Sequence, residues 1–312
     1  MNTGKFKSYK ALRAFTLIEM ILAITISGII GTVIISFVVQ SADGYATSRS
    51  RNQLASAGRV AIDRLASEIH NALPGSIRTT TADVLTGNQC IEFIPVEAAT
   101  SYINPPFTTA GTSFNIVDIL DGGSVIHPAA PPTLYAVIYP RNISQLYDGD
   151  RGTPASNWPN FRTRTPIAEI SSIADDGSTA GQSTVTLTKS HRFRRRSPFQ
   201  RFFVVSDPVS YCVVEDKLYR YSNYGFYQTQ EDTEEETGVC EKFVNDEPCL
   251  PNYDDAPDKM LIVDSIDNGG LTAFSIGSQS LSRNSLLAIQ LTLSDGTDSV
   301  ELTHEVLSRS VP

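Results

Sequence analysis

The 312-residue chain contains no GxSxG, no GxxxxGK[ST], no HExxH and no CxxC. A nucleophilic serine on a strand-to-helix elbow, a backbone cradle for phosphates and a helical zinc site all lack a sequence basis, so no enzymatic activity is expected. Four histidines, His70, His127, His191 and His304, stand at no metal-ligand spacing, and no resident metal or other cofactor is expected. Basic charge is scarce as well: 25 Lys and Arg face 34 Asp and Glu, for a net charge of −9. That sign excludes a protein that coats nucleic acid, because phosphate binding depends on a dominant basic face, and no nucleic-acid partner is expected. Two further absences are local. No proline occurs before Pro74, and the first 42 residues hold a single acid, Glu19.

What is present starts with an apolar run over residues 15–39, which is 25 residues long. At ~1.5 Å rise per residue such a helix exceeds the ~30 Å of hydrocarbon in a bilayer. A basic leader precedes it, with Lys5, Lys7, Lys10 and Arg13, while Arg49 and Arg51 follow only ten residues after it. The bias keeps the N-terminus cytoplasmic and exports the rest, which includes all four cysteines, Cys90, Cys212, Cys240 and Cys249. An ordinary secretory signal does not fit, since its small-residue cleavage site follows the apolar core, whereas Ala14 precedes it here. Glu19 is the anomaly in the run, because a carboxylate at membrane depth is costly unless it finds a partner. A plain anchor in which Glu19 snorkels to the interface is the simpler alternative.

The order Ala14, Phe15-Thr16-Leu17-Ile18-Glu19, with the basic leader before it and the long apolar run after it, resembles the signal of type IV prepilins and type II secretion pseudopilins. The resemblance implies cleavage between Ala14 and Phe15 by a membrane-embedded prepilin peptidase, and methylation of the new Phe15 amine. Ala14 stands where that family usually has Gly. It also implies that Glu19 pairs with the N-terminal amine of a neighbouring subunit during fibre assembly, which joins two groups that are each costly alone in hydrocarbon. Secretion pseudopilins of the K type characteristically lack this acid, so its retention implies a subunit that accepts another above it.

Beyond the run, Leu54, Ala61, Leu65, Ile69 and Leu73 recur at helical spacing between Arg51, Arg59, Arg64 and Glu68. With Pro74-Gly75 as a stop, one helix of about 59 residues, ~88 Å, is expected, its second half packed on a head. Gly28 and Gly31 would let neighbouring helices approach. From residue 76 onward short apolar or alternating runs recur between turn residues, at 90–96, 134–139, 183–188, 201–205, 210–214, 217–221, 260–266, 271–276, 286–293 and 299–307. Two hairpins are expected, one turning at Glu215-Asp216 and one at Asp295-Gly296. No second helical period of comparable strength occurs. The expected fold is therefore α+β and pilin-like: a basic leader at 1–14, a transmembrane half-helix at 15–40, an amphipathic half at 41–73, and a mostly antiparallel β head at 74–312.

Within the head, SHRFRRRSPFQRFFVVSDPVSYCVVEDKLYRYSNYGF, CIEFIPV and HEVLSRSVP are similar to the MshO minor pilins of the mannose-sensitive haemagglutinin (MSHA) pilus; PilW-type minor pilins and J-type pseudopilins share the broader plan. Thr272 stands where a further cysteine of that group is expected. The resemblance implies a minor pilin that primes pilus assembly at or near the fibre tip. It sits in the bacterial inner membrane with its head in the periplasm, and later at the cell surface. Its implied partners are other minor and major pilins, prepilin peptidase, the pilus assembly platform and inner-membrane lipid. A J-type pseudopilin of a type II secretion system and a glycan-binding tip adhesin are the alternatives.

Four cysteines allow three pairings, and spacing does not choose among them. Cys240 and Cys249 close a short local loop, and Cys90 with Cys212 would then tie two strands together. The run from His191 carries Arg192, Arg194, Arg195, Arg196 and Arg201, the one basic cluster in an acidic head, readable as a partner-binding loop or as a solvated one. Tyr219, Tyr221, Tyr224, Phe226 and Tyr227 could stack on sugars or serve as strand packing. QEDTEEETG is expected to be an exposed loop. Asp148-Gly149-Asp150 and Asp175-Asp176-Gly177 offer oxygens to calcium without the spacing of a full calcium loop.

Overall fold

The computed structural model describes residues 16–80, 89–121, 123–128, 133–141, 143–147, 165–226, 243–244, 247–248, 258–277 and 285–308. The chain divides into two compact units, Met1–Asn52 and Gln53–Pro312. One helix, α1, runs from Leu17–His70. Its first part is apolar on every side and exposed, whereas from residue 58 onward Gly58, Ala61, Ile62, Leu65, Ala66 and Ile69 form a buried stripe at helical spacing. Helix geometry ends at His70, three residues short of the expected stop. The reason lies in tertiary pairing: the Leu73 N–H donates to the Ile94 carbonyl at 2.7 Å and the Val96 N–H to the Asn71 carbonyl at 2.9 Å. Gly75, at φ 76°, then completes the turn that Pro74 begins.

Among the described residues every strand pairing is antiparallel. A first sheet orders Arg78–Thr79, Gln89–Phe93, Val209–Val214, Lys217–Ser222 and Asp258–Val263. A second orders Val96–Ser101, Arg201–Val205, Tyr135–Val137, Ile167–Asp175, Gln182–His191 and Gly111–Val117. A third is the meander Phe274–Ile276, Ser285–Ser294 and Ser299–Ser308. A single-turn helix, α2, covers Ile143–Tyr147. The stripe of α1 packs with Ile91, Phe93, Tyr211 and Val213 of the first sheet and with Leu287, Ile289, Leu291 and Leu293 of the third. Burying each such aliphatic side chain is worth about 1.5–3 kcal/mol. One side chain bridges the first and third sheets: the Gln89 amide donates to the Phe274 carbonyl and accepts from the Phe274 N–H, both at 2.8 Å, and the backbone at 265–267 bonds the third sheet and the Asp216 turn as well.

The sheets share two chain segments. Residues 89–101 leave the first sheet at Ile94-Pro95 and enter the second, and residues 201–214 make the reverse passage at Ser206-Asp207-Pro208. Proline lacks the N–H that a continuous ladder requires, so the expected single strand at 90–96 is divided at Pro95. Val209–Val214 is buried at all six positions, as a central strand covered on both faces must be, while Gln182–His191 alternates. The Glu215-Asp216 turn forms with Glu215 at φ 53°. The second turn holds four residues, 295–298, and the Asp295 carboxylate accepts from the N–H groups of Thr297 and Asp298.

Candidate functional site

The apolar part of α1 presents Ile18, Ile24, Ile29, Val33 and Phe37 to the outside, each more than 60% exposed. Thr25 and Thr32 turn their hydroxyls back onto the carbonyls of Leu22 and Ile29, so neither needs water. This stretch is long and apolar enough to cross a membrane. Around Gly28 and Gly31 nothing among the described residues lies within 4 Å of the position of a Cβ, which leaves room for the close approach of a second helix. Glu19 is exposed in the first turn, where the helix dipole favours an acid, and among the described residues no cation pairs with it. Its backbone N–H donates to Thr16 Oγ1 at 3.3 Å, one half of a Thr-x-x-Glu capping box.

The basic loop is built on buried anchors. Phe193 is fully buried against Phe114 and His191, and the Tyr102 hydroxyl accepts from the Ser197 N–H at 2.9 Å. Arg192 donates to the Thr108 carbonyl, Arg196 lies 5.0 Å from the Phe107 ring centroid, and Arg201 lies 5.7 Å from that of Phe199. Arg194, Arg195, Arg196 and Arg201 are exposed, and among the described residues no carboxylate pairs with any of the five arginines.

Cys90 and Cys212 are bonded, and they face each other in register on adjacent strands of the first sheet. On the same side, turned away from α1, lies a charge that sequence reading missed. Glu92, 1% exposed, meets the Arg78 Nε at 2.5 Å and accepts from the Tyr224 hydroxyl at 3.1 Å, which also bonds Ser210 at 2.6 Å. The Arg78 guanidinium sits 3.7 Å over the ring of Tyr147, whose hydroxyl donates to the Ser76 carbonyl. Burial pushes the Glu92 carboxyl up, and Arg78 and Tyr224 offset part of that. Burial would lower Arg78, but Glu92, Tyr147 and Tyr224 together hold the guanidinium above its usual value. Such a network is structural cement. Tyr221, Tyr224 and Phe226 are buried within or beside it, so their rings serve packing and not a sugar platform.

Near the end of α1 a cleft of about 350 Å³ is lined in part by Glu68, Asn71, Asp207 and Arg220. Glu68 accepts from Arg220 Nε at 3.1 and 3.0 Å, and Asp207 accepts from the Tyr135 hydroxyl at 3.1 Å. Burial pushes the Asp207 carboxyl up, with Glu169 adding to it.

Asp175 and Asp176 close the hairpin between their strand and the next. Asp175 accepts from the Gly177 N–H, and Asp176 from Ser178 and Asn115, so their oxygens serve the turn. Among the described residues no three His, Cys, Asp or Glu converge as metal ligands. Ala14, Phe15, Tyr227, Cys240, Cys249, the 148–150 turn and the acidic 230–238 stretch lie outside the described residues. No family model, curated protein or solved structure matches the chain.

Proposed function

We propose that the protein is a minor pilin of a type IV pilus, of the MSHA-like kind, which is cut by prepilin peptidase between Ala14 and Phe15, held in the inner membrane by α1 and incorporated at or near the fibre tip to start assembly. The observation that carries this reading is the helix itself. One proline-free helix joins an exposed apolar segment, with a single acid in its first turn that has no cation among the described residues, to a segment buried under antiparallel sheet. An anchor alone requires no acid at that depth. An acid that receives the amine of a neighbouring subunit makes registered stacking favourable over staying unpaired in lipid. The head then supplies surfaces for other pilins, and no catalytic step or cofactor enters the reading.

The test is isolation of the tagged full chain from native membranes, with mass spectrometry of its partners and its N-terminus. A chain that begins at methylated Phe15 and comes with pilus subunits is the expected result. Co-isolation with secretion pseudopilins would instead assign it to a type II secretion system, and an uncut chain with neither set of partners would overturn both.

A further inference from the structure

The loop at 191–201 lies at one end of the Arg201–Val205 strand, while the other end of that strand leads into the joint where α1 terminates. Arg201 is opposite Ser101 in register, and the Tyr102 N–H donates to the Gln200 carbonyl at 2.9 Å. One residue further along the two segments come Ile103 and Phe199, which are 43% and 61% exposed. Phe199 lies 5.7 Å from the Arg201 guanidinium in a loop that also carries the exposed Arg194, Arg195 and Arg196, and none of the four arginines is neutralised by a carboxylate among the described residues.

Holding like charges together without counter-charge is unfavourable in the free protein, and the buried anchors Phe193 and Ser197 fix the loop in that arrangement. Guanidinium groups bind phosphate bidentately, so a ligand with clustered phosphates would relieve the repulsion. The arginines occupy one loop of a chain whose net charge is −9, so the basic surface suits a compact phosphate headgroup better than a long rod of phosphates, which needs a dominant basic face. Ile103 and Phe199 call for an apolar component next to those phosphates. We infer that this tip docks on an anionic lipid surface, with the arginines on headgroup phosphates and Phe199 and Ile103 inserted at the acyl boundary. The site is separate from α1 and does not depend on how α1 is used.

The test uses the full chain in nanodiscs of neutral lipid, so that the apolar helix is already occupied. Flotation is measured with vesicles of phosphatidylcholine and phosphatidylglycerol in about a 2:1 ratio, and with phosphatidylcholine alone. Capture by the anionic vesicles only, weakened by added salt, is expected. The triple variant Arg194→Ala, Arg195→Ala, Arg196→Ala should lose about 100-fold in apparent affinity. Phe199→Ser should lose about 10-fold, through lost apolar burial. All four side chains are exposed, so both variants should keep the parent's unfolding curve. Equal capture by neutral vesicles, or undiminished capture of the triple variant, would overturn the inference. So would retention on poly-glutamate or single-stranded DNA without capture by anionic vesicles, which would assign the loop to an acidic protein or to nucleic acid.

Discussion

The two ends of α1 share a backbone geometry and differ in what surrounds them. Along the first part, isoleucines, valines and a phenylalanine are exposed; along the second, Leu65 and Ile69 have no accessible surface at all. The acids associated with each region differ in the same way. Glu92, in the sheet that covers the second part, is enclosed with Arg78 and Tyr224, whereas Glu19 has no cation among the described residues. In the head's interior the buried acid has its counter-charge close by, in Arg78. Under the proposed function, an apolar segment that carries an acid without a cation among the described residues is completed by a neighbouring subunit.

Removing the covalent tie should have the largest effect on the head. Cys90 and Cys212 are 122 residues apart in sequence, and the pair Cys90→Ser, Cys212→Ser should cost about 4–5 kcal/mol in denaturant unfolding. Arg78→Met leaves Glu92 buried and charged, at a cost of about 3–5 kcal/mol at pH 7. The pH dependence has a definite sign. Burial raises the Glu92 pKa in the folded protein, so its ionised form is the unfavourable one, and the variant's deficit should shrink as the pH falls and Glu92 takes up a proton.

The helix comparison is sharpened by matched truncations. Leu65→Ala should cost about 3 kcal/mol in head stability, and Ile29→Ala should leave the head's unfolding curve unchanged. A large effect of the second would mean that the exposed segment supports the head. Asp207→Asn should be mildly stabilising, by less than about 1 kcal/mol at pH 7, because it removes a half-buried charge next to Glu169. Its advantage should vanish once the pH falls below the ordinary aspartate range, where the parent's carboxyl is also neutral. Smallest on stability and largest on assembly is Glu19→Ala. Leader cleavage and head unfolding should stay as in the parent while co-isolation with fibre subunits is lost; normal incorporation would count against the pairing account.

The long helix was legible because its period, its lack of proline and the Pro74-Gly75 stop all agree. Strands dense in aromatic and β-branched residues, such as Arg201–Val205 and Val209–Val214, were legible too. Gly111–Val117 and Ile167–Asp175 were not, because serine, threonine, asparagine and alanine dilute their alternation and only pairing with neighbours makes them strands. Spacing left the cysteine pairing open, and register decides it: residues 90 and 212 are directly opposed. The ion pair of Arg78 with Glu92 had no local signature, since Glu92 sits in the apolar run CIEFIPV and its partner is fixed by a two-strand register. The Thr16-x-x-Glu19 cap went unread in the sequence, hidden in the apolar run. Its observed half is a bond from the backbone N–H of residue 19, which the Glu19→Ala variant keeps, so that substitution isolates the carboxylate.

The joint at the end of α1 has a mechanical meaning. Asn71 and Leu73 bond the residues around Pro95 on either side, through the Val96 N–H and the Ile94 carbonyl. Four residues upstream of Ile94, Cys90 is covalently tied to the neighbouring strand at Cys212. Tension applied along the helix would therefore enter the head at one strand and pass at once into a second through a bond that thermal motion does not break. Pulling there would load two strands together and would not peel one away.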